Sequence, residues 1–166
     1  MKIFETFTTG YDEVEDRISL VGSCLKGDVV QLWLNLRLMQ KFLPPMMDWL
    51  KNTDRAEPAK AAQVQGFMQQ SAREAMGQQP PVMPTGNSEK WLVRSLDLNW
   101  GPGQIVLVLK GEGDQAATIG FPTLIARQWL NVVYDLYRKA DWPLTIWPDW
   151  MSEGAAAPAT PHIVKH

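Results

Sequence analysis

Apolar residues fall into two short runs, Ile105-Val106-Leu107-Val108-Leu109 and Ala116-Ala117-Thr118-Ile119-Gly120-Phe121, separated by Lys110-Gly111-Glu112-Gly113-Asp114. In the first run Ile105, Leu107 and Leu109 face one way and Val106 and Val108 the other, the two-residue period of a strand buried on at least one face. The glycines between the runs permit positive φ and the charges there need water, so the pattern predicts strand, turn, strand. From Thr123 the period becomes helical. Ile125, Trp129, Val132, Val133, Leu136 and Tyr137 form one stripe, and Arg127, Asn131, Asp135 and Arg138 lie opposite. Such a helix rests on a sheet with its polar side in water. Arg138 and Lys139 suit the negative end of its dipole, and Pro143 blocks easy continuation.

The same grammar occurs earlier in the chain. Arg17–Cys24 and Val29–Leu34 flank the turn residues Leu25-Lys26-Gly27-Asp28 and predict a hairpin. Asn35 is positioned as an N-cap for a helix carrying Leu38, Met39, Phe42, Leu43, Met46, Met47 and Leu50 on one side. Pro44-Pro45 predicts a kink there, or a second helix with Pro45 at its first position. Residues 2–8 predict a short edge strand and residues 10–16 an exposed acidic loop. A further helix is expected over 57–77, with Val64, Phe67, Met68, Ala75 and Met76 as its apolar stripe, followed by a proline-rich loop over 78–88. Residues 91–100 read as one strand, Leu92, Leu96 and Leu98 on its buried face, antiparallel to the two strands that follow.

After the last helix comes Asp141-Trp142-Pro143-Leu144-Thr145-Ile146-Trp147-Pro148-Asp149-Trp150-Met151. Two prolines argue against a helix, and three tryptophans are too apolar to be left in water. Two readings stay open. The stretch is either an extended strap packed on its own domain, or a recognition surface in which Trp142, Trp147 and Trp150, with Trp49, bind a partner. Residues 153–166 are rich in Gly, Ala, Pro and Thr and are expected to be disordered. The expected fold is thus α+β: an antiparallel β-sheet or small β-sandwich with two packed helices, a helical insertion over 53–89 and a Trp-rich C-terminal strap. All of it is assigned to a single domain, 1–152.

Composition narrows the function. Hydrophobic residues make up 45% and charged residues 20% of the 166, as in a globular protein, and eight are tryptophan. A net charge of -2 leaves no electrostatic footprint for nucleic acid or anionic lipid. Cys24 is the one cysteine and the two histidines are His162 and His166, which excludes an intramolecular disulfide and a Cys/His zinc site. The first residues show no leader pattern, and no run approaches the roughly 18 apolar residues of a membrane span, so a cytoplasmic location is expected.

Candidate chemistry is thin. No Gly-x-Ser-x-Gly is present, and Gly111-Glu112-Gly113 joins two strands and carries acids where a phosphate would sit. The carboxylates Asp12, Glu13, Glu15 and Asp16 cluster as loop charge, and Glu112 and Asp114 are turn residues. Asp97 and Arg94, with Asp141 and Asp149, are the remaining candidates for lining a pocket. No catalytic, cofactor-binding or metal-binding residue is assigned, and no cofactor is expected.

The order hairpin, helical insertion, strands, helix resembles the β-sandwich head domain of the scaffold superfamily that includes the DNA end-joining cofactors and the centriole cartwheel proteins. The segments that carry the resemblance are 18–34, 36–77, 91–121 and the helix from Thr123. It implies heads that associate in pairs and carry a long coiled coil, although Asp141-Trp142-Pro143 stands where heptads would continue. The expected function is therefore a non-enzymatic interaction or scaffold module that forms a homodimer or binds another protein. The alternative is a small-molecule binder or enzyme with a Trp- and Met-lined pocket between sheet and helices. The first requires an apolar interface, the second an enclosed cavity with convergent polar groups.

Overall fold

A computed structural model of the chain describes residues 1–53 and 61–154. Strands β1 (Lys2–Asp12), β2 (Arg17–Cys24) and β3 (Val29–Leu34) lead into helices α1 (Leu36–Thr53) and α2 (Ala61–Glu74). Then come β4 (Glu89–Leu92), β5 (Ser95–Gly101), β6 (Gln104–Lys110), β7 (Ala116–Pro122), α3 (Thr123–Lys139) and α4 (Asp149–Gly154). The strands form one sheet in the order β4-β3-β2-β1-β7-β6-β5, curled into a half-barrel.

The α+β class agrees with the sequence, but the sheet is mixed rather than antiparallel. β1 pairs β7 in parallel, and so does β3 with β4. A parallel pair needs a long crossover, and α1 with α2 supplies the one between β3 and β4. β1 is also corrected. It is an 11-residue central strand, between β2 and β7, and it absorbs the first three residues of the expected acidic loop. A register shift between Phe4 and Thr6 places Phe4 and Phe7, three apart, on the inner side, which breaks the two-residue period. Phe4 lies close over Gly22, where any Cβ would meet the ring, so glycine there is a packing requirement.

The stretch expected as one strand over 91–100 is two. β4 and β5 sit at opposite ends of the strand order, yet only Val93 and Arg94 separate them. The Val93 amide donates to the Trp33 carbonyl on β3 at 2.9 Å, and the Arg94 amide to the Lys110 carbonyl on β6 at 2.8 Å. A dipeptide that bonds to both ends of the sheet forces it to curl. Trp91 and Val93 are consequently the buried residues before the switch, and Leu92 is only half-buried.

Helices α1 and α3 fill the concave face. α1 opens with Asn35, whose Oδ1 accepts the Leu38 amide at 2.9 Å. It runs through Pro44 and Pro45 as one helix, so no second helix starts at Pro45. Each proline removes one helical bond and costs about 3 kcal/mol. Met39, Phe42 and Leu43 before the pair and Met46, Met47 and Leu50 after it are all buried. Each contributes roughly 1.5–3 kcal/mol, so packing outweighs the break.

α3 departs furthest from its amphipathic reading. Ile125, assigned to its inner stripe, is 38% exposed, whereas Arg127 and Asn131, assigned to water, are 2% and 1% exposed. The reason is α2. Arg127 Nη2 donates to Gln65 Oε1 at 2.7 Å, Asn131 Nδ2 to the Gln69 carbonyl at 3.3 Å, and Arg73 pairs with Asp135 at 2.7 Å. Each contact joins residues 62 apart in sequence, so the two helices run parallel with one polar face laid on the other. α2 therefore buries Gln65, Gly66, Gln69 and Ala72 and leaves Phe67 68% exposed, the inverse of its expected stripe. The start of that expected helix lies outside the described residues.

The C-terminal stretch contains a helix after all. Pro143 and Pro148 both precede α4, where a missing amide leaves no helical bond unmade. The expected disordered tail overlaps α4 by two residues, and 155–166 lie outside the described residues.

Candidate interaction site

One flank of the half-barrel is incompletely covered. By register Leu96, Leu98 and Trp100 of β5 lie beside Leu109, Leu107 and Ile105 of β6 and so share the core face of the sheet. The β6 residues have strands on both sides and are buried. β5 is the last strand, so its leucines are half-buried and Trp100 is 50% exposed. From α1, Leu38, Lys41 and Trp49 approach the same edge. Trp49 and Trp100 lie with ring centroids 6.3 Å apart, a tilted indole pair at the surface. A groove of about 310 Å³ runs along this seam, lined by Leu38, Lys41, Phe42, Arg94, Ser95, Leu96 and Leu98.

Two charge pairs lie near it. Lys110 bridges to Asp97 across the β5–β6 ladder, and Arg94 to Glu112 at 3.1 Å. Both pairs are exposed and contribute at most about 1 kcal/mol. They leave the flank apolar, with Lys41 on its rim. A second opening, about 400 Å³, is lined by Lys2, Gly27, Asp28, Val29, Val30, Thr85, Asn87, Ser88 and Glu89 and is mostly polar. Neither opening is lined by Trp or Met.

Of the four tryptophans that the recognition-surface reading gives to a partner, three are inside. Trp142, Trp147 and Trp150 are 6%, 8% and 4% exposed. Trp142 packs edge-on against Tyr11 and Tyr137, and Trp147 against Tyr134 and Tyr137. Trp150 lies 5.9 Å beneath the Arg127 guanidinium. Trp49 alone of the four presents part of its ring to solvent, and its neighbour Trp100 was not singled out in the sequence. The signal was present, since Leu96, Leu98 and Trp100 alternate up to the turn at Gly101-Pro102-Gly103.

The acidic residues organise turns. Asp12 accepts the Val14 and Glu15 amides at 3.0 and 3.1 Å, and Glu15 reaches Arg17 at 3.9 Å. Asp16, held at a positive φ of 52°, accepts the Tyr11 hydroxyl and the Trp142 indole N–H. Arg94 lines the groove, whereas Asp97 lies on the opposite face of β5 from Leu96 and Leu98, and neither opening is lined by Asp97, Asp141 or Asp149. Among the described residues no group of three or more His, Cys, Asp or Glu could hold a metal ion, and no helix is long and apolar enough to cross a membrane. Burial pushes the Cys24 thiol up from its ordinary pKa, which keeps it protonated and a poor nucleophile at neutral pH.

Asp16 makes the fold acid-sensitive at one point. The Tyr11 hydrogen bond, then that of Trp142, holds its carboxyl below the usual aspartate value. A depressed folded pKa contributes stability that is present above the unfolded value, near 4, and is lost as pH falls through the folded one. The same bond pushes Tyr11 up to about 12. That contribution is present below about 10 and is lost as pH rises towards the folded value. Asp16→Asn, which tolerates the positive φ, is expected to flatten both limbs of a plot of Tm against pH. Parallel curves for the two proteins would refute this role.

Fold and flank together define an α+β protein with an open apolar edge. No family model, no curated protein and no solved structure matches the chain.

Proposed function

We propose that this chain is a non-enzymatic interaction and scaffold module that self-associates through the flank formed by β5 and α1. The observation that carries the reading is the Trp49–Trp100 pair, placed at the surface beside half-buried leucines of an edge strand. Tryptophan dominates binding hot spots because one ring removes a large apolar area from water. In this reading the Trp142–Trp150 stretch is a strap that packs on its own chain and keeps α2 and α4 in place.

Sedimentation velocity from about 1 to 100 µM, the range in which weak dimers dissociate, tests it. The wild-type chain is expected to grow in mass with concentration, and the Trp49→Ala/Trp100→Ala double variant to remain monomeric while still unfolding in one cooperative transition. A wild-type chain that stays monomeric throughout overturns the reading.

A further inference from the structure

The two ends of the sheet are protected unequally. β4 is four residues long and shows the exposed charges Glu89 and Lys90, the features by which natural edges avoid adding strands. β5 is seven residues long, has no proline or lysine within it, and carries one charge, Asp97, already paired with Lys110 of its own chain. Among the described residues no backbone hydrogen bond ties 95–101 to anything but β6. A long edge without a blocking device is a template for another strand.

The sequence of β5 also indicates which strand. Ser95-Leu96-Asp97-Leu98-Asn99-Trp100-Gly101 reads nearly the same in pattern from either end, centred on Leu98. Laid antiparallel on a copy of itself about that centre, Leu98 meets Leu98, Leu96 meets Trp100, Asp97 meets Asn99 and Ser95 meets Gly101. Apolar then faces apolar, the carboxylate faces a carboxamide that can donate to it, and no like charges are opposed. Sliding the copy one two-residue step towards the amino end sets Asp97 against Asp97, and any odd slip puts the leucines on the wrong face.

We propose that a second copy of this chain adds to the sheet edge to edge, β5 against β5, with the two-fold axis at Leu98. This deepens the self-association reading and rests on it. The axis stands normal to the sheet, so the apolar faces of both copies lie on the same side. Leu96, Leu98 and Trp100 of each then continue the other's core face, and both indole pairs flank the new seam. The half-barrel, whose strands stop at β5, becomes half of a continuous two-chain sheet.

Cysteine pairing reads the register directly. Residues facing each other across an antiparallel pair have Cα atoms about 4.5–5.5 Å apart, within disulfide reach, while a two-residue offset takes them past about 7 Å, out of reach. Under mild oxidation the full-length Leu98→Cys chain is expected to form a covalent dimer, and so is the Asp97→Cys/Asn99→Cys double variant. Each single variant, Asp97→Cys or Asn99→Cys, is expected to cross-link less by on the order of tenfold. The wild type, with Cys24 buried, is the background control. The double variant changes exposed positions only, so it decides the matter even if Leu98→Cys fails to fold. If the wild type sediments as a dimer but neither the double variant nor Leu98→Cys exceeds the single variants, this register is wrong and self-association stands. If the wild type sediments as a monomer at every concentration, both fall.

Discussion

Replacing Arg127 by alanine is expected to cost about 3 kcal/mol or more, because it strands buried acceptors as well as deleting a side chain. Arg127 is 2% exposed. Its guanidinium donates to Gln65 Oε1 at 2.7 Å and to Gln69 Oε1 at 3.2 Å, while its own carbonyl accepts from Gln69 Nε2 at 2.7 Å. Alanine keeps the carbonyl contact and leaves both glutamine oxygens facing a void that Trp150 also borders. The damage centres on the seam holding α2 and α4 to α3. Urea titration should show the loss as a lower midpoint, and Gln65→Ala should show a smaller one, about 1–2 kcal/mol. An Arg127→Ala midpoint equal to the wild type would mean that the polar seam contributes nothing to stability.

The second large effect is expected at Trp129, where alanine should cost about 3–5 kcal/mol. Trp129 is 4% exposed and stands where four elements meet. Its ring stacks on Phe42 of α1 at 6.1 Å and 18°, leans on Phe121 of β7 at 5.2 Å, and its Nε1 donates to Thr9 Oγ1 of β1 at 3.0 Å. Truncation opens a cavity between two helices and the sheet that neither can close without moving. Trp129→Phe should lose less, since it keeps an aromatic body and gives up mainly the bond to Thr9. Trp100→Ala, at a half-exposed position, should shift monomer stability by no more than about 0.5 kcal/mol. The ratio of those two losses separates a packing tryptophan from a surface one, and equal losses would contradict the placement of both.

The elements that were legible in the sequence are those whose pattern answers to one partner. β2, β3, β6 and β7 alternate because one face meets the core, and the starts of α1 and α3 follow from Asn35 and from the change of period at Thr123. β1 was read short because the offset between Phe4 and Phe7 breaks the alternation that marks a strand. Pro44-Pro45 leaves both a kink and a second helix open in the sequence because propensity is local, whereas the six side chains that hold α1 together as one helix are buried by tertiary packing. The site was half legible. Trp49 was named from its residue type, but Trp100 gains its meaning only from standing at the end of the sheet.

Arg127, Asn131 and Asp135 were correctly recognised as one face of α3, and Gln65, Gln69 and Arg73 fall at the same four-residue spacing on α2. Nothing in either segment alone says that the two faces meet. A polar side chain satisfied by water and one satisfied by another buried polar side chain are written with the same letters. The sequence by itself determined the class of fold, most of the strands and the helical periods, because those depend on neighbours within a few residues. Which polar face is dry, which tryptophans are interior, and which strand is left without a neighbour were decided by tertiary structure. Each depends on what the curling of the sheet at Val93-Arg94 brings alongside.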